Sequence, residues 1–371
     1  MKILFVNNNM FGLNIFRGEV IKYLKAEGYE IKTCSPRDAK NKLEEFGIPH
    51  IEVELKARGI NPVQDLKFFF EIFRIYRKEK PNLIFHYTIK PNIYGTLAAK
   101  LNNVKSIACL AGLGQMFVEN TIKSKIARKL YKISLNFSEE VWFLNEDDKY
   151  KAISLGIVKE TKSFVLPGEG INTKEYKALE KSKEENKIKF LMISRLLWNK
   201  GFKEYAEAAK NIKLKYKNVE FQLLGGYSNE DPLGVPEEEV KKYIDNKILN
   251  YLGTTDDVRK IIKDVDCVIL PSFYREGMPR VLLEAASMEK IIITTDNVGC
   301  KEVVEDEYNG YLCQIKSAED LEKKIEKVLK LSNKNRIQMG KNSRILVKKK
   351  YDIEIIKNIY LEKVKKILIE R

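Results

Sequence analysis

From its first residue the chain alternates short β-branched runs with longer stretches in which apolar residues recur every three or four positions. KILFV (2–6), EIKTCS (30–35), NLIFH (82–86) and SIACL (106–110) predict strands, with helices over 15–27 and 93–101. A second series follows the charged, Pro- and Gly-containing stretch 167–187. It runs KIKFLMIS (187–194), a helix over 202–214, VEFQLLGG (219–226), ILNYLG (248–253), DCVILPS (266–272), a helix over 279–288 and KIIITTD (290–296). Strand–helix alternation builds parallel sheets covered on both faces, so the pattern predicts an α/β protein of two doubly wound Rossmann-like domains. Their expected extents are 1–170 and 187–351, joined near Pro167–Asn186. Over 352–371 a terminal helix is expected, because apolar residues at 353, 356, 360, 364 and 367 form a stripe that must pack, here back toward the N-terminal domain.

A length of 371 residues suits two domains. Five cysteines, scattered and odd in number, argue against a disulfide framework and a zinc ribbon and point to a reducing compartment. MKILFV is too short an apolar opening for an export signal, and no apolar run reaches the length of a membrane span. The net charge of +15 is evenly spread: residues 1–175 hold 28 basic against 20 acidic side chains, and the remainder 39 against 32. Only 13 of the 67 basic residues are Arg. A nucleic-acid partner is therefore not expected, since a binding arm concentrates its charge and favours Arg.

In doubly wound sheets ligands bind beyond the carboxyl ends of the strands. After KIKFLMIS come Arg195 and Lys200, a planar fork and a mobile point charge that together suit a diphosphate; a solvated basic loop is the alternative. After DCVILPS comes FYREGMPRVLLEAAS, in which Gly277 lets a ligand approach the backbone and Pro279 suits the first position of a helix. The start of that helix is an anion site. Glu276 and Glu284 bracket it, and Glu284 lies deep enough to accept hydrogen bonds from sugar hydroxyls instead of meeting phosphate. As two isolated acids they would be ordinary surface glutamates.

Ser194-Arg195, Lys200-Gly201 and the Glu276-Gly277-Met278-Pro279 to Glu284 segment together resemble the retaining family-4 glycosyltransferases of the GT-B fold, in which two Rossmann-like domains face across a cleft. The resemblance covers the whole chain in pattern and residues 188–310 in motif. It implies a hexosyltransferase that uses a nucleotide sugar as substrate and has no cofactor. Arg195 and Lys200 would hold the donor diphosphate, Glu284 the ribose and Glu276 the sugar, with the backbone of Met278–Val281 around phosphate and sugar: the N–H groups of Met278, Arg280 and Val281, with Pro279, which has none, between them. YLGTTDDVRKII (251–262), with Gly253, resembles the base-contacting segment, and DNVGCKEVV (296–304) a glycine turn. One departure is Ser287-Met288-Glu289-Lys290, where relatives often carry a small residue and Gly. The stretches PNIYGTLAAK and LAGLGQMF resemble bacterial surface-glycan and lipid-linked-oligosaccharide enzymes. They imply a UDP-sugar donor, with N-acetylhexosamine preferred, and a polyprenyl-diphosphate-linked saccharide acceptor. A soluble acceptor or a non-catalytic binding subunit are the alternatives.

In the first domain, Asn7–Asn14 with Gly12 reads as a polar loop whose backbone can approach the donor. His86, at the end of its strand, is a candidate for touching the donor sugar, with a structural histidine as the alternative; Lys90 and Asn92 are further pocket candidates. Asp264-Val265-Asp266 precedes its apolar run, so it reads as turn residues on the wrong edge of the sheet for a metal, and none is expected. Residues 121–137 place Ile122, Ile126, Leu130, Ile133 and Phe137 on one stripe, with Lys123, Lys125, Arg128, Lys129 and Lys132 around it. Such a helix can lie on an anionic membrane or meet an acceptor diphosphate, or its stripe can be core. Aromatic residues in 65–80 make a second such helix. The resemblance implies a cytoplasmic enzyme, peripheral on the inner face of the membrane.

Overall fold

The computed structural model describes residues 1–56, 61–114, 117, 121–182 and 187–369. The chain divides into two units, Met1–Gly170 with Ile353–Arg371, and Ile171–Asp352. Each is a parallel α/β sheet of the Rossmann kind.

The first unit holds β1 (Lys2–Val6), β2 (Glu30–Ser35), β3 (His50–Glu52), β4 (Leu83–Tyr87), β5 (Lys105–Leu110), β6 (Glu140–Phe143) and β7 (Ser163–Val165), in the order β3-β2-β1-β4-β5-β6-β7. Its central strands are covered on both faces, so they read as continuous apolar runs and every residue of β4 is buried. Register places Phe5 opposite Phe85, and their rings stack with centroids 5.0 Å apart. Strand order reverses between β1 and β4, which makes their carboxyl ends the switch point where such sheets take ligands. Helix Ile353–Ile369 packs on this unit through buried Ile353, Ile356, Tyr360 and Val364. The Tyr360 ring meets Trp142 edge-on at 4.8 Å, and its hydroxyl lies 3.0 Å from that of Tyr87.

The second unit holds β8 (Ile188–Ile193), β9 (Val219–Leu224), β10 (Asn250–Tyr251), β11 (Cys267–Leu270), β12 (Ile291–Thr295) and β13 (Gly310–Cys313), in the order β10-β9-β8-β11-β12-β13. Its switch point lies between β8 and β11. Residues from Ile171 onward belong here: Ile171 bridges to Asp352, and the Ser182 amide donates to Asp264 at 2.6 Å. Asp266 accepts from the Lys189 amide and from Lys181. Both acids thus sit at the amino end of β11.

The departure at Ser287-Met288-Glu289-Lys290 leaves the turn geometry intact. Glu289 itself takes the left-handed conformation, with φ 61°, and the Lys290 amide reaches back to the Ala285 carbonyl at 3.0 Å, as in a helix ending on glycine. Two elements of the first unit depart from the pattern. The expected polar loop after β1 is already helical from Met10, and the helix before β5 opens as a wide π-turn at Pro91–Gly95.

Candidate active site

At the switch point of the second unit, the loop after β8 and the loop after β11 bring Lys200 and Glu276 together as an ion pair. Neither is near the other in sequence; the crossover of the sheet joins them. Ser272 donates to the same carboxylate at 3.1 Å, and its hydroxyl also lies 3.3 Å from the Asn199 carbonyl. That carbonyl accepts from the Phe273 and Tyr274 amides as well, so the two loops are stitched together directly beneath the pair. The Lys200 ammonium stands 5.2 Å from the centre of the Tyr274 ring. Arg195 lies on the rim with 55% of its side chain exposed, 3.7 Å from Asp231. Its guanidinium is thereby accessible to a ligand arriving over the strand ends.

Helix Arg280–Ser287 starts just beyond this pair. Pro279 is its N-cap rather than its first residue, one position from expectation, with Gly277 and Met278 leading into the turn. Backbone N–H groups of an opening turn have no carbonyl four residues earlier inside the helix, which makes this end attractive to anions. Arg280 and Val281 form that turn. One turn on, Glu284 accepts from Arg280 Nε at 2.9 Å, and burial pushes its carboxyl above the usual range. Tyr176 stands beside both, its ring centre 5.9 Å from the Arg280 guanidinium, and burial followed by the nearby Glu284 raises its hydroxyl to about 12. Tyr176 and Ser272 are site residues that sequence reasoning missed. Tyr176 lies in the inter-domain stretch with no motif around it, and Ser272 is a small residue at a strand end. Gly253 lies just past β10, its carbonyl accepting from the Gly225 amide at 2.8 Å.

Two expectations for the first unit are corrected. His86 is fully buried, with Nε2 2.8 Å from the Tyr76 hydroxyl and Nδ1 3.3 Å from that of Thr96. Burial drives its imidazole down to about 3, so the ring is neutral and packed between Tyr76 and Thr96, with no exposed edge at the end of the strand. Gly12 sits within the helical segment, where its amide donates to Asn9 Oδ1 at 2.6 Å. A Cβ there would run into the Asn7 side chain, so the glycine makes room for an asparagine instead of bringing backbone to a phosphate.

Helix Ile122–Leu135 settles the question of its stripe. Its buried face is Ser124, Tyr131, Ser134 and Leu135, whereas Ile122 and Ile126 are 78% and 56% exposed and Ile133 and Phe137 are exposed too. Lys125, Lys129 and Lys132 are exposed beside them and Arg128 is half-buried; the Lys123 side chain lies outside the described residues.

Two Rossmann-like units thus carry a cation–carboxylate pair and a helix start at one switch point. Residues 174–345 match the family described as glycosyl transferases group 1, and residues 2–145 the one described as glycosyl transferase 4-like. The chain is 31% identical, over 98% of each sequence, to a Campylobacter jejuni protein named N,N'-diacetylbacillosaminyl-diphospho-undecaprenol alpha-1,3-N-acetylgalactosaminyltransferase. A glycosyltransferase structure from Rickettsia africae superposes with TM-score 0.83 at 23% identity, covering 100% of this chain and 99% of that one. Anabaena HepE in complex with UDP and glucose gives TM-score 0.80 at 18% identity, covering 98% and 99%. The chain belongs to the group 1 glycosyltransferase family, and it is a sugar-transferring enzyme.

Proposed function

We propose that the protein moves an N-acetylhexosamine from a UDP-sugar to a hydroxyl of a polyprenyl-diphosphate-linked saccharide, with retention of anomeric configuration and without a metal ion. The Lys200–Glu276 pair at the β8/β11 switch point carries this reading. A lysine there neutralises a departing diphosphate, and a carboxylate beside it holds sugar hydroxyls. Arg195 adds a forked donor from the rim, and the N–H groups of Arg280 and Val281, at the start of the helix that Gly277, Met278 and Pro279 lead into, add oriented donors. Preorganised donors of this kind stabilise the charge that develops on the leaving group. Glu284, deeper in the helix, suits the ribose hydroxyls, and the turn at Gly253 suits the base. Asp264 and Asp266 are engaged at the opposite edge of the sheet, so the cationic groups rather than an acid pair meet the phosphates. The acceptor class follows from the Campylobacter relative, whose name specifies a diphospho-undecaprenol saccharide, and the nucleotide from the UDP bound to HepE.

The exposed isoleucine and lysine face of residues 121–137 supports peripheral attachment to an anionic inner membrane surface from the cytoplasmic side, or contact with the acceptor's diphosphate. No helix among the described residues is long and apolar enough to cross a membrane. Each basic side chain near an anionic surface contributes about 1 kcal/mol, screened by salt. One assay tests both parts of the reading: transfer from UDP-N-acetylhexosamines to a polyprenyl-diphosphate saccharide embedded in anionic vesicles, in EDTA. Transfer is expected to persist with the chelator, and vesicle binding to be lost at high salt. Changing Lys125, Arg128, Lys129 and Lys132 to Gln is expected to abolish binding while sparing a short-chain soluble acceptor. Activity that returns only with Mn²⁺ contradicts the metal-free site. Equal loss on both acceptors contradicts membrane docking.

A further inference from the structure

Tyr176 belongs to no motif, yet the second unit holds it in place by backbone and ring together. Its amide donates to the Asn172 carbonyl at 2.9 Å, closing a turn. Its carbonyl accepts from Ser287 Oγ at 2.5 Å and from Arg344 Nη1 at 3.1 Å, and Arg344 also reaches the Thr173 carbonyl at 2.9 Å. On helix Arg280–Ser287, residue 284 follows 280 by four positions and precedes 287 by three, so all three share the face along which Tyr176 lies. Two guanidinium groups flank the ring, Arg280 at 5.9 Å and Arg259 at 5.7 Å from its centre. Arg259 is itself fixed: it grips Asp257 at 2.7 and 3.1 Å and joins Glu175 at 3.0 Å. A ring anchored in this way has a hydroxyl of fixed position.

The group beside that hydroxyl is Glu284, only 8% exposed. A carboxylate taken out of water needs donors to stay ionised and oriented. Burial raises the Glu284 carboxyl, the Arg280 charge and hydrogen bonds from Arg280 and Tyr176 draw it back, and Glu175 adds a smaller rise. The Tyr176 hydroxyl, lifted by burial and then by Glu284 to about 12, keeps its proton at neutral pH and is therefore a donor. An ionised carboxylate has about four acceptor sites. Arg280 and Tyr176 take two of them, which leaves a pair for two vicinal hydroxyls. We propose that Tyr176 is a positioning residue for nucleotide recognition, its hydroxyl holding Glu284 so that the free side of the carboxylate meets the 2'- and 3'-hydroxyls of a ribose. Tyr176 acts through Glu284 and does not itself touch the nucleotide. The inference rests on the proposed binding of a UDP-sugar at this helix.

Calorimetric binding of UDP, 2'-deoxy-UDP and 3'-deoxy-UDP to the full chain tests it. The unaltered protein is expected to bind UDP about ten- to hundredfold more tightly than either deoxy analogue, the worth of a hydrogen bond to a charged group. Tyr176→Phe keeps the ring and every backbone tie, so circular dichroism and melting should be nearly unchanged. UDP binding is expected to weaken about three- to tenfold while the deoxy analogues lose little, so the preference for ribose shrinks. Glu284→Ala is expected to abolish that preference, and adding Tyr176→Phe to it to change nothing further, because the two residues act as one unit. In transfer assays the Tyr176→Phe donor KM should rise with kcat unchanged. Equal weakening of all three nucleotides, an undiminished ribose preference, or a lower kcat at constant KM in Tyr176→Phe overturns the role of Tyr176 and leaves the nucleotide site standing. Failure of the unaltered protein to bind UDP overturns the nucleotide site, and the role of Tyr176 with it.

Discussion

Lys200→Ala is expected to lower kcat by about 10²–10³-fold, the usual cost of removing one preorganised donor from a developing anion. The ion pair is the reason the effect should be large. Without the ammonium, the Glu276 carboxylate, 13% exposed, keeps the Ser272 hydroxyl but loses its ion pair and is no longer held in place. Arg195→Ala is expected to fall in the same range, because in the proposed site its fork would meet the same diphosphate from the rim. Glu284→Ala should behave differently. A ribose contact is as strong in the ground state as in the transition state, so donor KM rises while kcat holds. Steady-state kinetics with a varied UDP-sugar separate these outcomes, and unchanged turnover in both Lys200→Ala and Arg195→Ala would remove the diphosphate assignment.

Gly299→Ala is expected to cost about 10²-fold in turnover although residue 299 carries no functional group. Gly299 has φ 80°, and a Cβ there would lie 2.7 Å from the Gly277 carbonyl oxygen and closer still to that of Glu276. An alanine has to push away the loop that holds Glu276 and leads into helix Arg280–Ser287. A displacement of about 1 Å at a reacting group is enough for a loss of that size. Circular dichroism should show an intact sheet; the melting temperature should fall, the cost of a left-handed alanine and its clash, while kcat at a temperature where the protein is fully folded falls far more than that loss of stability explains. Normal turnover in a folded Gly299→Ala protein would mean that the Glu276 loop does not set the reaction geometry.

Elements with a strong periodic signal were legible in the sequence down to their ends: KILFV and EIKTCS coincide with β1 and β2. β3, β7 and β13, of three or four residues, are too short to show alternation and were not predicted, whereas β11, as short, was marked by its unbroken apolar run CVIL. The cation and carboxylate motifs were legible as separate strand-end loops. Their union was not, because a crossover of 76 residues leaves no local trace. His86 was misjudged for a related reason. β4 continues to Tyr87, and successive side chains point to opposite faces. In a sheet buried on both sides the sequence does not say which face a histidine takes. For residues 121–137 the stripe was found, but its direction depended on small residues: Ser124 and Ser134 can pack closely on the core, which leaves the isoleucines facing out.

The central claim is retaining transfer from a UDP-sugar to a lipid-linked saccharide. Its most direct measurement is the anomeric configuration of the new glycosidic bond, read by NMR on product made from a UDP-α-N-acetylhexosamine and a polyprenyl-diphosphate saccharide in EDTA. The account predicts an α-linked product. A β-linked product, or no product from any UDP-sugar, would contradict it.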